Sequence, residues 1–135
     1  MSAIRSIRLF ALATLLATPV AYASGAEAGA KGDAARGKDL FHTNSCVACH
    51  GVTKEDTSKV GPSLFGVIGR QAGTAKSLLG ASENLKKYGV TWTFETLDEF
   101  LADPNAKVPG TPMAGMITDP QQRADVIAYL ETLKE

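Results

Sequence analysis

Net charge is the first thing this sequence lacks. Across 135 residues, 14 Lys+Arg balance 14 Asp+Glu. Without a basic excess there is no field to hold a nucleic acid or an anionic membrane surface. Long apolar runs are also missing. The longest, Leu9 to Val20, is 12 residues, whereas a helix across the hydrocarbon core needs about 20. Sustained apolar–polar alternation is absent throughout, which argues against a sheet, and no internal repeat occurs. The chain has only two cysteines and two histidines, so whatever metal or redox chemistry it performs is confined to a few positions.

The N-terminus reads as an export signal. Arg5 and Arg8 make a basic start, an apolar stretch runs from Leu9 to Leu16, and Ala21-Tyr22-Ala23 fits an A-x-A cleavage pattern. Residues 1–23 are therefore expected to be a signal peptide cleaved after Ala23, with a periplasmic destination. The rival, a retained anchor, suffers from the shortness of the run. Removing Arg5 and Arg8 with the signal leaves 112 residues carrying 12 Lys+Arg against 14 Asp+Glu, a net charge of −2. That is enough for one small domain. Residues 24–32, rich in Ala and Gly, are expected to be a flexible mature N-terminus, and residues 33–135 to be the folded domain.

Helical signals dominate that domain. Asp33 is a candidate N-cap for a helix to about Asn44, with Ala34, Gly37, Leu40 and Phe41 on one face. Gly37 within that face costs about 1 kcal/mol relative to Ala, which close approach of another helix would justify. The stretch 52–74 is punctuated by Gly and Pro and reads as loop. A short helix is expected from Ser82 to Tyr88, stopped by Gly89. Thr93 caps another, with Leu97, Phe100 and Leu101 as its stripe and Asp103 as its end. Pro109, Gly110, Pro112 and Gly115 leave residues 105–118 without expected regular structure. Asp119-Pro120 opens the last helix, whose buried side is Val126, Ile127, Tyr129, Leu130 and Leu133. The fold class expected is small and all-α.

The chemistry concentrates at Cys46-Val47-Ala48-Cys49-His50. C-x-x-C-H is the pattern of c-type haem attachment. Two thiols at i, i+3 on one helical turn can reach the two vinyl groups of a porphyrin, and the adjacent His is a suitable axial ligand. Three other readings fit the cysteines. A disulfide would close only a tiny loop and stabilise little. A redox-active CxxC suits the spacing. Zinc would need Cys46, Cys49, His50 and the remote His42 together. For a sixth iron ligand, the mature chain offers Met113 and Met116, both in the Pro/Gly stretch rather than in a helix stripe, where a Met would more often be core filler.

From about Gly37 to Leu133 the chain resembles the class I c-type cytochromes, and specifically the mitochondrial-type cytochrome c and bacterial c2 branch. Gly37-Lys38-Asp39-Leu40-Phe41 and Ala128-Tyr129-Leu130 are similar to the family's packed terminal helices. Lys59-Val60-Gly61-Pro62-Ser63-Leu64-Phe65-Gly66 is similar to its K-x-G-P-x-L-x-G loop, which implies that the Pro62 carbonyl orients His50. Gly69-Arg70 and Gly89-Val90-Thr91-Trp92 resemble the segments whose Arg and Trp meet a haem propionate. Pro109-Gly110-Thr111-Pro112-Met113 is similar to P-G-T-x-M, which implies Met113 as the ligand rather than Met116. Two departures stand out: Leu78-Leu79-Gly80-Ala81 replaces the family's tyrosines, and Met113-Ala114-Gly115-Met116 is shorter than M-x-F-A-G and lacks its aromatic.

The resemblance implies a cytochrome c fold, with helices packed around one haem c attached through Cys46 and Cys49. It implies a non-enzymatic, soluble and monomeric electron carrier with His50/Met113 ligation. Transient partners, a reductase or dehydrogenase donor and an oxidase or reaction-centre acceptor, would dock at a haem edge near Lys38, Lys54, Lys59, Lys76, Lys86, Lys87 and Lys107. The alternatives are a haem peroxidase or ligand-binding protein with a labile Met, or a cytochrome subunit of a dehydrogenase.

Overall fold

Side-chain oxygens start the longer helices where the sequence places them. In the computed structural model, which describes residues 31–113, 115 and 117–135, Asp33 accepts from the amides of Ala35 and Arg36 and opens α1 (Ala34–Thr43). One helical turn, α2 (Cys46–Cys49), follows. Ser82 caps α3 (Glu83–Tyr88), which Gly89 ends in the left-handed conformation at φ +54°. Thr93 and Thr96 cap α4 (Phe94–Ala102) reciprocally. Asp119 accepts from Gln121 and Gln122 and opens α6 (Pro120–Thr132). Each such cap is worth about 1 kcal/mol.

One element departs from expectation. Pro104–Lys107 forms a short helix, α5, where breakers argued for none. Asp103 accepts from the Ala106 amide at 3.0 Å while Pro104 takes the first helical position, where its missing N–H costs nothing. The Asp-Pro pair thus ends α4 and starts α5. The stretch 52–74 contains no helix, and among the described residues the one β-type contact is an isolated bridge between Gln71 and Thr91.

The terminal helices α1 and α6 cross at Gly37. A Cβ at Gly37 would fall on the Asp125 carbonyl and come within 2.9 Å of the Tyr129 Cβ. Beside the crossing, the Phe41 and Tyr129 rings lie 5.6 Å apart. Because backbone cannot yield as a flexible side chain does, Gly37→Ala is expected to cost about 3 kcal/mol, readable as a lowered denaturant midpoint of the haem-bearing protein.

Asp125 is buried in this crossing, only 2% exposed. Its carboxylate accepts from Arg36 Nε at 2.9 Å, from the Asp33 amide at 2.7 Å and from Gln121 Nε2 at 2.9 Å. The Arg36 hydrogen bond, more than the opposing burial, draws the Asp125 pKa down to about 2. A depressed carboxylate stabilises the fold above its unfolded value of about 4, and that contribution disappears as pH falls through the folded value. Arg36 is more than half exposed, so after discounting for screening the contribution is about 1–2 kcal/mol. Asp125→Asn should therefore melt lower than wild type at pH 6, and the gap should close between pH 4 and pH 2 in thermal scans followed by circular dichroism. A gap constant over that range would refute the assignment.

Arg123 joins α6 to α4 through Asp98 at 2.6 Å and holds the carbonyls of Ile117 and Thr118. Inside, Trp92 packs on Phe100 with ring centroids 5.1 Å apart, and Tyr88 lies 6.0 Å from Trp92. Phe41, Val67, Leu97, Leu101, Val126 and Leu130 complete the apolar lining around a central cavity.

Candidate functional site

The site begins where α1 stops. Ser45 turns the chain in a left-handed conformation, φ +60°, and the next four residues make the single turn of α2. The His50 amide closes that turn on the Cys46 carbonyl at 2.9 Å, then the chain extends. Cys46 and Cys49 are both free thiols, so no disulfide joins them. Burial raises the Cys46 thiol pKa. Among the described residues no three His, Cys, Asp or Glu side chains gather at one point, so His42 does not join the other three as a zinc site would require.

His50 is fixed from behind. Its Nδ1 lies 2.8 Å from the Pro62 carbonyl oxygen. Only an N–H can satisfy a carbonyl, so Nδ1 carries the proton and Nε2 keeps a lone pair. Burial, with smaller contributions from Lys59 and Arg70, lowers the imidazole pKa against the opposing pull of Pro62. The ring is thus neutral at pH 7, the form a metal ligand needs. Gly61 makes room for it: a Cβ there would stand 2.6 Å from His50 Cε1.

Lys59 was among the expected docking lysines, yet its ammonium is used internally. It donates to the Val47 carbonyl and, at 3.3 Å, to that of His50. It thereby clamps the C-x-x-C-H turn to the following loop. Its place in the sequence reads as that of a surface lysine, because the groups it binds are backbone carbonyls.

The attachment turn, His50 and the Gly61-Pro62 segment open onto one cavity of about 460 Å³. Cavities left by imperfect packing are seldom much larger than a water molecule, whereas ligand pockets run from about 300 to 1,000 Å³. Cys46, Cys49, His50, Pro62, Arg70, Trp92 and Met113 all line it. The backbones of Arg70 and Trp92 pair at 2.9 Å, Trp92 amide to Arg70 carbonyl, which sets their side chains on one wall. Arg70 donates to the carbonyls of Phe65 at 3.0 Å and Ser63 at 2.8 Å. Its Nε is buried with no partner, and burial lowers its pKa. A buried guanidinium left with an unmet N–H suits a ligand that brings an anionic oxygen. Met113, half-buried, reaches the cavity from the loop before α6, its amide 3.3 Å from the Thr111 hydroxyl. Met116 lies outside the described residues.

The donor set fits a haem: two thiols, a neutral imidazole with an available nitrogen, a thioether, and a cation for a carboxylate, around an apolar cavity. An all-helical fold carrying C-x-x-C-H at such a cavity defines a c-type haem domain. The chain belongs to the cytochrome c family, whose profile matches residues 34–134, and within it to the class I, cytochrome c2-like branch. It is 48% identical over 105 residues to a cytochrome c2 of Rhodopila globiformis, covering 76% of this chain and 95% of that one. It is 42% identical over 111 residues to a cytochrome c2 of Blastochloris viridis, covering 81% and 84%. The structure of cytochrome cH from Methylobacterium extorquens matches with a TM-score of 0.67 and 45% identity over 75% of this chain and 99% of that one. Haem c, covalently attached, is the cofactor, and the protein is a haem electron carrier.

Proposed function

We propose that this protein is an exported, soluble, single-haem carrier that shuttles electrons between periplasmic or membrane-bound partners. Cys46 and Cys49 would hold the haem by thioether bonds, and His50 and Met113 would be the side chains that bind its iron. When bound, the haem supplies a one-electron Fe(II)/Fe(III) couple. The chain's own residues do the rest. Pro62 holds the His50 tautomer with Nε2 available, and Lys59 holds the attachment turn. Met113 offers a sulfur that favours the reduced ion. Arg70 and Trp92 line the part of the cavity suited to a propionate, and Arg70 compensates its charge. The apolar lining keeps water from the cavity that would hold the haem, which would limit rearrangement around its iron.

The observation that carries this reading is that His50, with Nδ1 on Pro62, and Met113 line the same apolar cavity. No helix among the described residues is long and apolar enough to cross a membrane. Cyclic voltammetry of the purified haem-bearing protein is the test. A single reversible one-electron wave is expected, and irreversible reduction accompanied by peroxide turnover would contradict it. Residues 1–23 lie outside the described residues. Their proposed cleavage is checked by finding Ser24 at the N-terminus of the purified protein.

A further inference from the structure

Leu78 and Leu79 are 65% and 71% exposed. Their neighbours Ser77, Gly80 and Ala81 line the cavity, but the two leucines do not. A group that fills the cavity therefore leaves both side chains in water. The Leu78 amide donates to the Lys59 carbonyl at 2.9 Å, which sets the leucines beside the backbone of Val60. Val60 is itself exposed and lines the cavity. Single exposed leucines are ordinary. Two in succession, on a segment whose backbone is bonded to that preceding an exposed valine, place three exposed apolar side chains at the border of the cofactor cavity.

Four of the seven lysines expected to guide partners are engaged elsewhere. Lys59 is turned onto the Val47 and His50 carbonyls. Lys54 pairs with Glu135, Lys86 with Glu83 and Lys107 with Glu99. An acidic partner would thus find four of the seven lysines already engaged, on a mature chain whose net charge of −2 does not attract it. We propose that Leu78, Leu79 and Val60 form the docking surface for an electron-transfer protein that presents an apolar, uncharged patch around its own redox centre. This rests on the electron-carrier reading. A contact this small is brief, as a shuttle requires, and its strength depends little on ionic strength.

The test is voltammetry of the haem-bearing protein on gold coated with methyl- or carboxylate-terminated alkanethiols, at low and high salt. Wild type should exchange electrons faster at the methyl surface, with a rate insensitive to salt. The Leu78→Ser/Leu79→Ser variant should lose at least tenfold in rate there, with unchanged visible spectrum and potential. If the double variant fails to retain haem, Leu79→Ser alone makes the comparison. A wild-type rate in the serine variants would overturn the proposal. So would faster exchange at carboxylate that salt abolishes, or a tenfold loss on reversing the charge of Lys76. A reversible wave on neither surface would instead sink the electron-carrier reading, and this surface with it.

Discussion

Met113→Ala is expected to lower the reduction potential by on the order of 0.1 V or more, within the roughly 0.8 V over which axial ligands set haem potentials. A thioether donates weakly to Fe(III) and so favours Fe(II); water or another oxygen ligand in its place reverses that preference. The cavity position of Met113 supplies the structural reason. Met116→Ala, three residues on in the sequence, should leave the potential nearly unchanged. Spectroelectrochemical titration of the two variants gives the comparison. A large shift for Met116→Ala with none for Met113→Ala would transfer the ligand to Met116.

Replacing Cys46 and Cys49 together with alanine should abolish covalent haem. The wild-type polypeptide is expected to keep haem staining after denaturing electrophoresis, and the double variant to show none. The two thiols are spaced by one helical turn on α2 and both line the cavity, so either one alone can hold an edge of the ring. Single variants should therefore keep the stain at reduced yield. The double variant is also expected to be much less stable, because a domain of about 100 residues buries proportionally little surface without the apolar face of its cofactor. Retention of the stain in the double variant would mean that attachment runs through another residue.

What could be read from the sequence follows from how local each cause is. Asp33, Ser82, Thr93 and Asp119 act on amides two or three residues away, so the starts of α1, α3, α4 and α6 were legible. The Asp103-Pro104 start was not, because the surrounding Pro and Gly read as an unbroken loop. Gly37 announced a close approach, and resemblance to the family named the α6 aromatic, but not that Asp125 would meet Arg36 across 89 positions. A buried acid in a helix stripe looks like a solvated one until its partner is seen. Lys59 read as a surface cation for the same reason: the carbonyls that hold it belong to backbone, which no side-chain pattern reports.

The site shows the same division. C-x-x-C-H is contiguous and carries its chemistry in five letters. Pro62, Arg70, Trp92 and Met113 are scattered over 52 positions and were legible only through likeness to the family. The structure brings them to one cavity with His50 and adds the unpartnered Arg70 Nε, an atom that no motif describes. Leu78 and Leu79 stand where the family carries tyrosines, and their outward exposure is what gives them a role of their own.

The most direct test of a closed His50/Met113 site is the absorption spectrum of the oxidised wild-type protein at neutral pH. A sulfur-to-iron charge-transfer band at the red end of the visible range, unchanged on adding cyanide for minutes, is the expected result. A spectrum without that band, together with immediate cyanide binding, would show an open iron and contradict the account.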